Sequence, residues 1–136
     1  MRSIGDIEKA KDALNSKKTE QAVISLPPGF IIGFRLRTEN YKMIIGKGVM
    51  NCRGRGVYGK TEYTIDGSNY TQPDHILKGV TYYVYMNHAK EIKVDSVAYT
   101  WDDDALGDYH PVLYQYRFLG QFDYTIAGTY ENIINQ

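Results

Sequence analysis

Gly54 to Thr61 read GRGVYGKT, which satisfies the phosphate-loop pattern G-x-x-x-x-G-K-[ST]. Such a loop leaves a buried strand, wraps backbone N–H groups round the phosphates of a nucleotide, and opens a helix whose N-terminus faces the anion. Here the residues that follow, EYTIDGSNYTQPD, alternate Tyr63 and Ile65 with polar residues and then dissolve into Gly, Ser, Asn and Pro, so no helix can start. The chain also lacks the strand–helix alternation of a parallel nucleotide-binding sheet. IKVD at 92–95 could pose as the metal-binding strand, but it belongs to an alternating, half-exposed run rather than a continuous buried one. The octapeptide is therefore read as a coincidence within a glycine-rich loop, with no nucleotide partner. Gly46, Gly48, Gly54, Gly56 and Gly59 are better explained by bulges, tight turns and close approach of packed strands. RGRG, with two arginines and no repeat, fits a solvated loop or subunit contact ahead of a single-stranded nucleic-acid binder.

The second constellation is WDDDALGD, which gathers Asp102, Asp103, Asp104 and Asp108. Loops dense in aspartate can supply the oxygens that calcium needs, but the EF-hand alternation and its closing glutamate are absent, so a solvated acidic turn is preferred and no metal is assigned. Trp101, the single tryptophan, starts this turn. Exposed, it could stack on a sugar or pin a partner; buried, it simply packs. Tyr99, Trp101, Asp103 and Tyr109 are accordingly the candidate ligand contacts. His75, His88 and His110 have no second histidine at ligand spacing, and no Ser–His–Asp or Cys–His set can be argued. His110 precedes Pro111, which biases it to an extended conformation at a turn. No catalytic residue and no cofactor is assigned, and the chain is read as a non-enzyme.

The elements that must position these residues follow from length and pattern. The 136 residues suit one domain with a real core, and 43% hydrophobic residues argue against extensive disorder. No run of about 18 apolar residues exists to span a membrane, and the N-terminus lacks the apolar centre of a secretory signal. One cysteine, Cys52, excludes an internal disulfide framework, and folding in a reducing cytoplasm is the natural inference. Net charge is zero, yet residues 41–62 hold five bases and one acid while 63–136 hold four bases and ten acids. Opposed patches of this kind suit contact between subunits. All 13 tyrosines lie at or after position 41; they fit half-buried strands and equally an adhesive surface.

Residues 3–18 read as the one helix, capped by Ser3 with Asp6 reaching back. Ile4, Ile7 and Leu14 lie on heptad spacing, with Lys11 between them. Two heptads are marginal alone, so this stripe docks on its own domain or on other copies of itself. SLPPGF then breaks the chain, dividing an oligomerisation and attachment stub (1–24) from a β head (25–136). In the head, period-two runs predict strands over Phe30–Arg37, Val80–Met86, Glu91–Asp95, Val112–Phe118 and Phe122–Ile126. DGSN, QPDH, DDDALGD and IAGT punctuate them. The expected architecture is all-β, an antiparallel sandwich or barrel-like head whose open edges are covered by packing copies round an axis.

Two ordered segments carry a resemblance. LPPGFIIGFRLRTENYKMIIGKGVMNCRG combines a proline–glycine lead-in, a GF-x-L strand (Gly33 to Leu36) and a short alternating strand from Met43 to Gly48. LKGVTYYVYMNHAKEIKVD, followed after the acidic turn by DYHPVLYQYRFLGQF, pairs a TYYVY hairpin with a Y-H-P turn and an R-[FY]-L-G strand end at Arg117 to Gly120. Together, over about residues 25–126, they resemble the distal or knob domains of tailed-bacteriophage appendage proteins. The resemblance implies a homotrimer, with three helices bundled as a stub and three β heads round one axis. It also implies assembly in the host cytoplasm into a virion beside other virion proteins, and attachment to a host surface glycan or protein. A head-fibre or capsid-decorating role, and a free lectin-like carbohydrate-binding sandwich, stay open as alternatives. The chain departs from the family by beginning with a short helix instead of a long stalk.

Overall fold

The computed structural model of the protein describes residues 26–71 and 77–136. The expected helix with Ile4, Ile7 and Leu14 lies outside the described residues, as does His75. Among the described residues the chain forms twelve strands: β1 Ile31–Gly33, β2 Leu36–Glu39, β3 Lys42–Ile45, β4 Gly48–Cys52, β5 Arg55–Gly59, β6 Tyr63–Ile65, β7 Val80–Met86, β8 Ile92–Asp95, β9 Thr100–Asp102, β10 Gly107–Tyr109, β11 Arg117–Tyr124 and β12 Tyr130–Asn135. All the ladders between these strands are antiparallel, so the all-β expectation holds. No helix among the described residues is long and apolar enough to cross a membrane.

The strand expected over Phe30–Arg37 is instead two short ones with a corner between them. Phe34 takes φ 51°, a left-handed conformation that a bulky residue adopts only under constraint. The partner strand bends at the same place, and the ladder carries through the corner by Phe34 N–H to Lys47 O and Gly46 N–H to Arg35 O. One bent hairpin thus supplies both small sheets, β1-β4-β5 and β2-β3-β6. What holds the corner is the Phe34 ring, fully buried and seated on two glycines. A Cβ built on Gly48 or Gly59 would lie 2.5 Å from ring carbons of Phe34.

This arrangement corrects the reading of GRGVYGKT as a loop. Arg53 and Gly54, both at positive φ (49° and 86°), are the two-residue turn of a hairpin, and Arg55–Gly59 are strand β5, paired residue for residue with β4. Arg55 to Gly59 belong to that hairpin ladder, and the third glycine of the octapeptide, Gly59, is packing space for Phe34.

The bent hairpin packs on the larger sheet, β8-β7-β11-β10-β9, with β12 also paired to β11. Met43, Ile45, Met50 and Val57 meet Tyr82, Val84, Met86, Val94, Leu119 and Phe122 in one core. Burying each such side chain contributes about 1.5–3 kcal/mol, set against the entropy of ordering the chain. The strand expected over Val112–Phe118 is also corrected. Val112–Tyr116 form a loop, and β11 begins only at Arg117, absorbing most of the run expected from Phe122.

Arg117 ties the layers together. It is buried, and its Nη1 donates to the carbonyls of Phe30 (2.8 Å) and Asn51 (2.7 Å) while Nη2 donates to that of Gly29 (2.8 Å). The segment after Pro27–Pro28 is thereby fastened to β4 and β11 at once. Three edge strands each make a hydrogen bond with a residue elsewhere in the chain. Lys90 Nζ donates to Tyr58 O on β5, Thr71 N–H donates to Val94 O on β8, and Asn135 accepts from Leu36 N–H on β2 at 2.5 Å.

Candidate binding surface

The β9–β10 hairpin brings the acidic turn and Trp101 to one edge of the large sheet. Asp102 builds the turn: its Oδ1 accepts from the N–H groups of Asp104 (2.9 Å) and Ala105 (3.0 Å). Its Oδ2 lies 2.6 Å from Arg53 Nη2. The Ala105 N–H first, and Arg53 after it, hold the Asp102 carboxyl below its ordinary range. Arg53 braces the hairpin from the other layer. Its backbone N–H donates to the Tyr109 hydroxyl at 2.9 Å, its guanidinium lies over the Tyr109 ring at 4.5 Å, and its Nε donates to Tyr114 O.

On that frame Trp101 is 58% exposed, and its indole N–H donates to Asp103 Oδ1 at 2.6 Å. The ring is therefore presented to solvent in a fixed orientation. Tyr99, two residues earlier on the same face, stacks on Phe118 with ring centroids 4.1 Å apart, and Tyr83 meets Tyr99 edge-on. Of the four candidates, Tyr99 and Trp101 share the surface and Asp103 orients the indole. Tyr109 faces the other way, is 1% exposed, and acts through Arg53. Burial pushes the Tyr109 hydroxyl's pKa up.

A second loop completes the surface. Val112, Leu113 and Tyr114 are exposed between β10 and β11. Buried His110 fixes them: its Nδ1 accepts from Val112 N–H (3.1 Å) and Leu113 N–H (2.9 Å), and its Nε2 lies 2.9 Å from Asp95 Oδ2. Asp95 Oδ1 accepts from Val97 N–H, and the Tyr85 hydroxyl donates to Val97 O at 2.6 Å. Two backbone donors on Nδ1 require the Nε2–H tautomer. Beside Trp101, where β10 parts from β11 beyond the single Tyr109–Arg117 pair, lies a groove of about 440 Å³ lined by Pro28, Ile31, Trp101, Leu106 and Gln136 among others.

Sequence reasoning took His110 as a simple turn residue and assigned Arg53 and Asp95 no role in the site. The partners that tie them across elements lie 15 to 61 residues away, so no local spacing marks them. Among the described residues, no three His, Cys, Asp or Glu side chains stand where they could hold a metal ion. Asp102 is committed to its own turn and to Arg53.

No protein-family model matches the chain, and none of the curated proteins does. Among solved structures it is similar to a chain named Major Tropism Determinant I1 Variant, at 18% identity and TM-score 0.45, covering 69% of this chain and 22% of that one. It is also similar to the Major Tropism Determinant U1 Variant, at 19% identity and TM-score 0.46, with the same coverage. The chain thus spans less than a quarter of the length of either.

Proposed function

We propose that this chain is a non-enzymatic bacteriophage virion structural protein, a small trimeric fibre or receptor-binding head that attaches to the host cell surface. The observation that carries the attachment role is the fixed, solvent-facing indole of Trp101, held by Asp103 on a hairpin braced through Arg53. Aromatic anchors give most contact energy when their orientation is settled before binding. The bacteriophage assignment is supported by the ordered sequence segments from Leu26 to Gly54 and from Leu77 to Phe122. In a homotrimer, three such surfaces engage one cell at high effective concentration, so weak single contacts suffice.

The test is in two parts. Antibody labelling of phage particles should place the protein on the virion, and at the tail for a fibre or on the head for a decorating role. Purified full-length protein should bind host cells, and Trp101→Ala should lower that binding about tenfold or more, the scale of a lost anchor. Particles without label, or equal cell binding by the variant, would refute the reading. The groove beside Trp101 favours one second reading, a free lectin-like carbohydrate-binding sandwich. Unlabelled particles together with Trp101-dependent retention on a glycan array would select it.

A further inference from the structure

We infer a second ligand site, at the opposite pole of the head, that takes a neutral pyranose sugar. It lies between the β2–β3 turn and the β11–β12 turn and is independent of the attachment reading above. β11 gives the separation: Arg117 at one end is beside the Trp101 groove, and Tyr124 at the other leads into the far turn. Seven steps at about 3.3 Å put the two ends roughly 23 Å apart. The chain comes in at Leu26–Phe30, held by Asn51 and Arg117, on the Trp101 side.

The pole is built at a conformational cost that no side-chain burial offsets. Asn40 and Tyr41 form the β2–β3 turn with φ 51° and 62°, the signs of a type I′ turn, whose second position favours glycine. Asparagine suits its position, but tyrosine does not suit the next. Tyr41 is 97% exposed, so its ring gains no burial in return. A bulky side chain kept in left-handed backbone without internal reward points to an external role. Across from it, Ile126 is 82% exposed on the neighbouring turn.

Between the turns lies a hollow of about 430 Å³ lined by Thr38, Glu39, Asn40, Tyr41, Thr129 and Tyr130, with Gly128. That volume is within the range of small-molecule sites, about 300–1,000 Å³. The lining specifies the chemistry. Tyr41 offers an open phenol face to the C–H side of a sugar ring, while the Tyr130 ring packs on Phe122 and Tyr124 behind it. The Thr38 hydroxyl and the Asn40 carboxamide offer donors and acceptors to its hydroxyls, the Thr129 hydroxyl being engaged with Thr125 and Glu131. Among the described residues the charged groups at the hollow are Glu39, which Arg37 meets at 2.9 Å on its Oε2, and Lys78, which lies beside Gly128. With Glu39 neutralised by Arg37, recognition in the hollow runs through hydroxyl and amide contacts, the kind a neutral sugar makes.

The experiment is an NMR titration of ¹⁵N-labelled full-length protein with methyl glycosides of glucose, galactose, mannose and N-acetylglucosamine, and with N-acetylneuraminic acid as the anionic arm. At least one neutral glycoside should move the amide signals of Asn40, Tyr41, Gly128 and Thr129. Tyr41→Gly should weaken that binding about tenfold, as for a lost aromatic anchor, while raising the thermal midpoint, because glycine relieves the turn. Trp101→Ala should leave these shifts unchanged, which separates this site from the attachment surface. Four silent glycosides, equal affinity in Tyr41→Gly, or tighter binding of N-acetylneuraminic acid would each overturn the assignment. So would Tyr41-dependent shifts that follow protein concentration alone, which would give the pole to a second copy of the chain.

Discussion

At the scale of single residues, the glycines and the buried phenols carry the sharpest consequences. Gly59 owes its place to the Phe34 ring, so Gly59→Ala must displace that ring or bend β5. Overpacking of this kind costs about 1–3 kcal/mol, and the urea midpoint should fall with no change in slope. Combining it with Phe34→Leu should recover part of the loss, because the two changes act on one space. If Gly59→Ala is neutral, the corner is not held as described. Tyr85 and Tyr109 give a pH prediction. Burial, the leading cause in both, raises their hydroxyl pKa values above the ordinary 10.0. The folded chain then holds these protons more tightly than the unfolded chain does. Their contribution is complete below pH 10 and is lost as pH rises through the raised values. Alkaline unfolding should therefore coincide with the appearance of tyrosinate absorbance, and Tyr85→Phe should shift the transition upward.

At the scale of elements, His110 decides whether the 111–116 segment is a loop or a strand. With its Nδ1 accepting from Val112 and Leu113, those amides are withdrawn from any ladder. His110→Ala leaves them and Asp95 without that partner, at about 1–3 kcal/mol for each buried group left unsatisfied. Hydrogen exchange should rise first at Val112 and Leu113 and spread to Val97. Unchanged protection there would refute the latch. The same residue explains a limit on what could be read from the chain. Val112, Tyr114, Tyr116 and Phe118 alternate as a strand would, and nothing local reveals that a histidine captures their backbone. Val80–Met86 and Ile92–Asp95 were legible because their apolar residues alternate, although Tyr85 and Asp95 on the other face are buried as well. The Phe34 corner was not, since a left-handed phenylalanine depends on glycines 14 and 25 residues away. β12 was missed because Tyr130–Asn135 is mostly polar and half exposed. Of the candidate surface, Trp101 and Tyr99 were legible as aromatics beside a turn. The bracing by Arg53 was not, because it joins distant strands.

At the scale of the whole molecule, the expectation that sibling copies cover open sheet edges meets a fold in which three edge strands are each engaged at one point from within the chain. β5 is met by Lys90, β8 by Thr71, and β2 by Asn135. Short edges capped by lysine or by side-chain amides resist further pairing. In the proposed trimer the drive for assembly would then fall on Ile4, Ile7 and Leu14, which the sequence sets at heptad spacing. Two heptads associate weakly, so assembly should depend on concentration. Sedimentation equilibrium of the full chain should show a monomer–trimer exchange. Ile7→Asp with Leu14→Asp should leave only monomer, because two charges cannot be buried in a three-helix seam without partners. The thermal midpoint of the β head should not change in that variant, its core being complete in one chain. A trimer that survives both substitutions would return the interface to the strand edges. A midpoint that falls with them would show that the head draws its stability from its neighbours.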